Sequence, residues 1–260
     1  MNKLKPMQQT NTLLATLLAV LFTSSPALAF DLTLMSDKQM AEMGAQSYAE
    51  IKSKNPASTN SKAKARVQCV SKALTQRVGG QWEVTLFQGE QANAFALPGG
   101  KIGVYEGLLD IATSQDELAA VIGHEIGHVQ AEHANQRVST SLVTSLGLRA
   151  IQGFTDLGKS EIGMTALGLG AEYGVMRPFS RKQESQADKY GVKLMAGAGF
   201  NPQASVTLWQ KMKKAGGKTP PELLSTHPSH STRIDELKRL APRYKPDYDN
   251  ARRAGRQPRC

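Results

Sequence analysis

The sequence predicts an α+β fold that is mostly helical, with one small antiparallel sheet placed directly before a central helix. Three observations predict it. Serine followed three residues later by Glu or Gln stands at Ser36/Gln39, Ser114/Glu117 and Ser180/Gln183, and such pairs cap a helix N-terminus by satisfying each other's free N–H groups. Convincing strand alternation is confined to one region, where Trp82, Val84 and Leu86 interleave with Glu83, Thr85 and Phe87. Apolar residues make up 40% of 260, which is enough to build the core of one domain.

Taken in order, the chain opens with Lys3 and Lys5, an apolar run from Leu13 to Phe22, and small residues at Ala27 and Ala29. This is the pattern of an export signal over residues 1–29, cut after Ala29, and the run is short for a membrane span. No Cys follows it, so no lipid-attachment site is expected. A helix should run from Asp37 to about Lys54 and a second from Ser61 to about Arg77, ended by Gly79 and Gly80. Two short strands, Ala94–Leu97 and Lys101–Tyr105, flank a Pro98-Gly99-Gly100 turn. The central helix begins near Gln115. Residues 139–175 are apolar and glycine-rich, with enough charges to exclude a spanning helix and room for one or two packed ones. Helices are expected over about 181–195, from Pro202 to about Ala215, and over about 232–240, with a Pro-rich loop over 219–229. The domain is therefore placed at 30–242. A basic, aromatic-poor tail at 243–260 is expected to be irregular.

The net charge of +10 admits an anionic partner, but no compact Lys/Arg run with interleaved aromatics supports nucleic acid. The two cysteines, Cys69 and Cys260, form an even pair in a chain read as exported, which predicts a disulfide.

The central helix carries V-I-G-H-E-I-G-H-V-Q, Val121 to Gln130. His124 and His128, four apart, present both imidazoles on one helical face, where they can share one tetrahedral Zn2+. Glu125 can reach a water on that ion without ligating it, the H-E-x-x-H arrangement in which Glu is the general base. Gly123 and Gly127 weaken the helix and point to close approach of another backbone. A third ligand is needed. His133 follows the second His by five and would lie on another face of the same helix, so it is read as structural or solvated. Glu184 and Asp188 form an i, i+4 pair among Arg181, Lys182 and Lys189. A solvated acidic pair is the plain alternative, but beside the upstream motif Glu184 reads as the third ligand and Asp188 as acceptor of the His124 ring N–H.

H-E-I-G-H, then E-S-Q-A-D, then S-T-H-P-S-H-S-T-R-I together resemble metallopeptidase family forty-eight, the HtpX/CaaX-protease-type gluzincins, and within it the soluble periplasmic LoiP/YcaL/BepA-like branch. The resemblance covers about residues 35–242. It implies a gluzincin protease domain holding one zinc per chain, with the edge strand Asn93, Ala94, Phe95 and Ala96 binding extended substrate. It also implies that His227 and Arg233 lie by the cleft as oxyanion donors. His227 has a second reading, as a fourth zinc ligand that closes the site until substrate displaces its loop. The branch implies a periplasmic endopeptidase with unfolded or misassembled envelope proteins as partners, and association with the outer membrane or its assembly machinery. The competing class is a zinc-stabilised, chaperone-like binding module without proteolysis. That reading predicts loss of the general base, and Glu125 is present.

Overall fold

The computed structural model describes residues 32–152, 179–215, 222–228 and 232–260. The expected signal and the stretch 153–175 lie outside them. Residues 33–260 form one compact unit, a helical core with a small sheet. In chain order the unit contains α1 (Asp37–Lys54), α2 (Ser61–Val78), β1 (Glu83–Phe87), β2 (Ala94–Leu97), β3 (Lys101–Tyr105), a 3-10 turn (Glu106–Asp110) and α3 (Gln115–Gln130). It continues with α4 (His133–Gln152), α5 (Arg181–Ala198), α6 (Ala204–Ala215), α7 (Glu222–Thr226) and α8 (Arg233–Leu240). A 3-10 turn (Ala241–Tyr244) and α9 (Lys245–Arg253) close the chain. All three capping boxes form with both hydrogen bonds present.

The sheet corrects one expectation. Its order is β1-β3-β2, with β2 antiparallel to β3 but β1 parallel to it. The Pro98-Gly99-Gly100 turn makes the antiparallel hairpin. Six residues separate β1 from β2, and they carry the chain across so that β3 slots between the two. Gly103 allows this sheet to pack tightly: its partner across the register is Phe95, whose ring lies where a Cβ would stand. Phe95, Phe87, Tyr105 and Tyr48 then form an aromatic cluster with ring centroids 5.4–6.5 Å apart.

The tail is also corrected. The segment is helical as far as Arg253, because Ala241 and Ala251 are buried and give it a packed face, and only residues 254–260 run on without regular structure. Its end is tied by the Cys69–Cys260 disulfide, Cα–Cα 5.6 Å. The Gln115 side chain bonds both Pro258 O and Cys260 N, at 3.0 and 2.7 Å. The loop over 219–229 likewise contains the short helix α7.

The axis of the core is α3, buried at every residue from Glu117 to His128. Its main partner is α5, and the two approach at backbone distance. A Cβ on Gly123 would stand 3.2 Å from Gly191 O, and one on Gly127 would stand 2.9 Å from Ala187 O. Seen from α5, a Cβ on Gly191 would stand 2.7 Å from His124 N. The three glycines let the metal-motif backbone lie directly against the helix bearing Glu184 and Asp188. Gly191→Ala should gain about 1 kcal/mol in helix propensity and still lose about 1–3 kcal/mol net by forcing the helices apart. Urea denaturation of the metal-free chain measures this, and an unchanged midpoint would show that the contact is not tight.

Candidate metal centre

Four side chains converge. One ligand atom from each of His124, His128, Glu184 and His227 lies within 4.8 Å of all the others, and all four residues are buried. His124 Nε2 stands 3.0 Å from His128 Nε2 and 3.2 Å from His227 Nδ1. Glu184 places Oε1 3.0 Å from His227 Nδ1 and 3.4 Å from His128 Nε2, and Oε2 3.5 Å from His124 Nε2. A tetrahedral ion with bonds of ~2.0–2.1 Å sets its ligand atoms ~3.3–3.4 Å apart. The observed separations bracket that value.

Hydrogen bonds on the far sides of the rings explain why these nitrogens face one another. His124 gives its Nδ1–H to Asp188 Oδ1 at 2.9 Å, which leaves a lone pair on Nε2. His128 Nδ1 is 2.8 Å from His133 Nδ1, and His133 Nε2 is 3.1 Å from Gln186 Oε1. Read as one relay, His133 donates to Gln186 and accepts from His128, so His128 also turns a bare Nε2 inward. With both rings neutral, two lone pairs would meet 3.0 Å apart in a buried site; a proton on His124 relieves that conflict in the metal-free chain, and a cation between the rings does the same. The residues therefore fit a metal ion with an N/O donor set.

Local sequence accounts for each placement. His124, Glu125 and His128 ride α3, and Glu184, Gln186 and Asp188 ride α5. His227 follows α7, and Arg233 opens α8. Glu125 is buried beside the cluster. Its Oε1 has no hydrogen bond and lies 3.5 Å from His227 Nε2, which leaves an acceptor free to take a water's proton. The strand β2 packs against α3 and forms one edge of the sheet. Tyr105 N donates to Asn93 O, so by antiparallel alternation Asn93 and Phe95 bond inward and Ala94 and Ala96 turn their backbone groups to the free edge.

A model of Peptidase family M48 matches residues 57–241. The chain belongs to peptidase family M48. Metalloprotease LoiP of Escherichia coli is 30% identical over 217 residues, covering 83% of this chain and 85% of that protein. Metalloprotease YcaL of the same organism is 27% identical with the same coverage. Mitochondrial metalloendopeptidase OMA1 of Schizosaccharomyces pombe is 36% identical over 164 residues, 62% of this chain and 47% of that protein. The chain thus spans about half the length of that relative.

Within this M48 chain, Arg233 lies at the site, as the resemblance implies, but with different contacts from those expected. It was expected as an oxyanion donor. It is instead wholly buried, with Nη1 on Glu184 Oε2 at 2.5 Å and Nη2 on Asp188 Oδ1 at 2.6 Å, and its guanidinium stacks 3.4 Å from the Trp209 ring centre. Its charge is committed to the two carboxylates, so it positions them. His133 is a second correction. It is buried, and it does not lie on another face of the same helix, because α3 stops at Gln130. Glu132 adopts φ 54°, a left-handed turn that folds His133 back under His128. No spacing rule signals Gln186. Nor does any signal Phe179, which stacks on the His128 ring at 3.8 Å and carries Arg137 on its other face at 3.7 Å.

The charges follow. Burial and Arg233 push the His124 pKa down, but hydrogen bonds to Asp188 and Glu184 outweigh them and raise it to about 9. Burial pushes His128 well below its usual value. Burial would raise Glu184, yet the three histidines hold it far below the carboxylate range; burial would likewise raise Asp188, and Arg233 with His124 lowers it instead. Below pH about 9, then, loading the site requires His124 to release its proton, so metal affinity should rise with pH up to that point. Chelator competition at several pH values measures the slope. Glu184→Ala should abolish tight binding, and Asp188→Asn and His133→Ala should each weaken it about 10–100-fold by freeing a ligand ring. Full occupancy in His133→Ala under the same competition would remove the relay from the site.

Proposed function

We infer that this chain is a zinc endopeptidase of the periplasm that cuts extended segments of unfolded or misassembled envelope proteins. The observation that carries the reading is the buried three-histidine, one-carboxylate cluster with Glu125 at its side, its Oε1 free of hydrogen bonds. Zinc, when bound, supplies a Lewis acid and an acidified water. Glu125, through Oε1, would accept a proton from the attacking water and return it to the leaving amine. His124 and His128 are held in the ligating tautomer by Asp188 and His133, and Arg233 fixes Glu184. Ala94 and Ala96 offer outward backbone N–H and C=O groups to which an extended chain can add as a strand. Such pairing reads side chains weakly, which supports breadth of substrate.

A specific observation favours the reading of His227 as a latch. Leu223 N donates to Ala92 O at 3.2 Å, and Phe179 N donates to Thr226 O at 3.2 Å. Ala92 lies two residues before β2, in a tight turn where Asn93 N donates to Gln91 O, so this contact falls beside the start of the edge strand. The segment that delivers His227 to the fourth ligand position therefore also lies beside the head of the substrate track. One displacement frees both.

The deciding assay is casein cleavage by the purified chain with and without chelator. Glu125→Gln should lower cleavage at least about a hundredfold with bound zinc retained; near-normal rates would exclude the base. A zinc-stabilised binding module predicts no cleavage at all. His227→Ala should leave cleavage of a short peptide intact or raise it. A fall in kcat of about ten- to a thousandfold would identify His227 as an oxyanion donor and remove the latch.

A further inference from the structure

The chain's surplus of positive charge is confined to two segments that the fold brings together. Residues 33–260 carry 30 Lys and Arg against 21 Asp and Glu. Of these, 11 basic and two acidic residues lie in α2 and residues 243–260, which leaves 19 of each in all the rest. The rest of the unit is therefore neutral, and α2 contains no carboxylate.

The two segments meet at the Cys69–Cys260 disulfide. On α2, Lys62, Arg66 and Lys72 stand seven before, three before and three after Cys69, so they share its stripe. Arg77, five residues beyond Lys72 and so about 140° round the helix from it, lies at the C-terminal end of α2 on the side of α5, where its Nε is 3.9 Å from where a Cβ on Gly197 would stand. Arg256 meets it there, donating Nε–H to Gly197 O at 3.0 Å. Arg259 flanks the disulfide from the tail, its carbonyl against Cys69 Sγ. Lys62, Lys72, Arg77 and Arg259 are exposed. Among the described residues none of these four forms an ion pair with a carboxylate. Several basic side chains elsewhere are so paired, as with Lys52 and Lys101 on Glu83 and Lys211 on Glu117, whereas Lys193 on α5 and Lys213 and Lys214 on α6 are exposed and belong to neither segment of this face. The ligand cluster is drawn from α3, α5 and the loop after α7, so this face contributes nothing to it.

We propose that the face formed by α2 and the disulfide-pinned tail docks the protein on a membrane surface rich in anionic phospholipid. Such a surface attracts each Lys or Arg with a free energy that multiplies partitioning about fivefold per residue. Four unpaired cations held on one rigid face engage a plane of phosphates together without first being ordered. No apolar span or acyl chain is required, and the attachment is reversible and sensitive to salt. The proposal is independent of the proteolytic reading.

Cosedimentation of the purified chain with vesicles tests it. Vesicles of phosphatidylcholine and phosphatidylglycerol in equal parts should bind the chain at low salt and release it at high salt, and phosphatidylcholine alone should not bind. Lys72→Glu with Arg77→Glu should weaken binding at least about 25-fold. Lys213→Glu with Lys214→Glu, an equal charge change on exposed α6 positions, should weaken it by less than about threefold. The milder pair Lys62→Gln with Arg259→Gln should lower binding by about tenfold or more. Far-ultraviolet circular dichroism and cleavage of a soluble peptide should match the parent chain in every variant. Equal losses in the α2 and α6 pairs would mean attraction by net charge alone and overturn the proposal. Binding to neutral vesicles would overturn it, as would retention on a soluble polyanion with no sedimentation on anionic vesicles.

Discussion

Everything at the centre depends on α3 and α5 lying backbone against backbone. The contact works because Gly123, Gly127 and Gly191 have no side chains at the crossing. One helix contributes nitrogen ligands and the base, and the other contributes a carboxylate ligand and the acceptor that orients His124. A methyl group at the crossing would shift one set against the other by tenths of an ångström, and a ligand cluster tolerates little more. The fold thus accepts two weak positions in its most buried helix in exchange for geometry.

The second constraint is electrostatic. Glu184 and Asp188 are buried one helical turn apart and would repel each other without a neighbour of opposite sign. Arg233 supplies it with two separate nitrogens, and Trp209 covers the guanidinium face. A lysine could not reach both carboxylates in this way, since its single ammonium lacks the planar fork. The cluster is thereby set before any ion arrives, which lowers the reorganisation needed on binding.

Much of this was legible in the sequence, and the reasons are local. Capping boxes fixed the starts of α1, α3 and α5, because the rule concerns one serine and one residue three positions on. The i, i+4 spacing put His124 with His128 and Glu184 with Asp188, because helix geometry alone carries it. What was not legible depends on how the chain reverses. The face argument for His133 assumed that α3 continued, and a single left-handed residue, Glu132, broke that assumption. The parallel pairing of β1 with β3 depends on where the intervening residues cross, which alternation does not encode. The tail's polarity concealed its order, because few of its own residues are buried and most of what holds it belongs to α2, α3 and α5.

One feature of the site also makes it observable. The chain has two tryptophans. Trp82 is only half-buried just before β1, whereas Trp209 is buried against Arg233 with its ring centre 6.2 Å from that of His124. An indole so close to a titrating imidazole and a fixed cation emits in a field that changes when His124 exchanges its proton for a metal. The protein therefore carries its own optical gauge of loading, a native fluorophore that shares one wall with the chemistry.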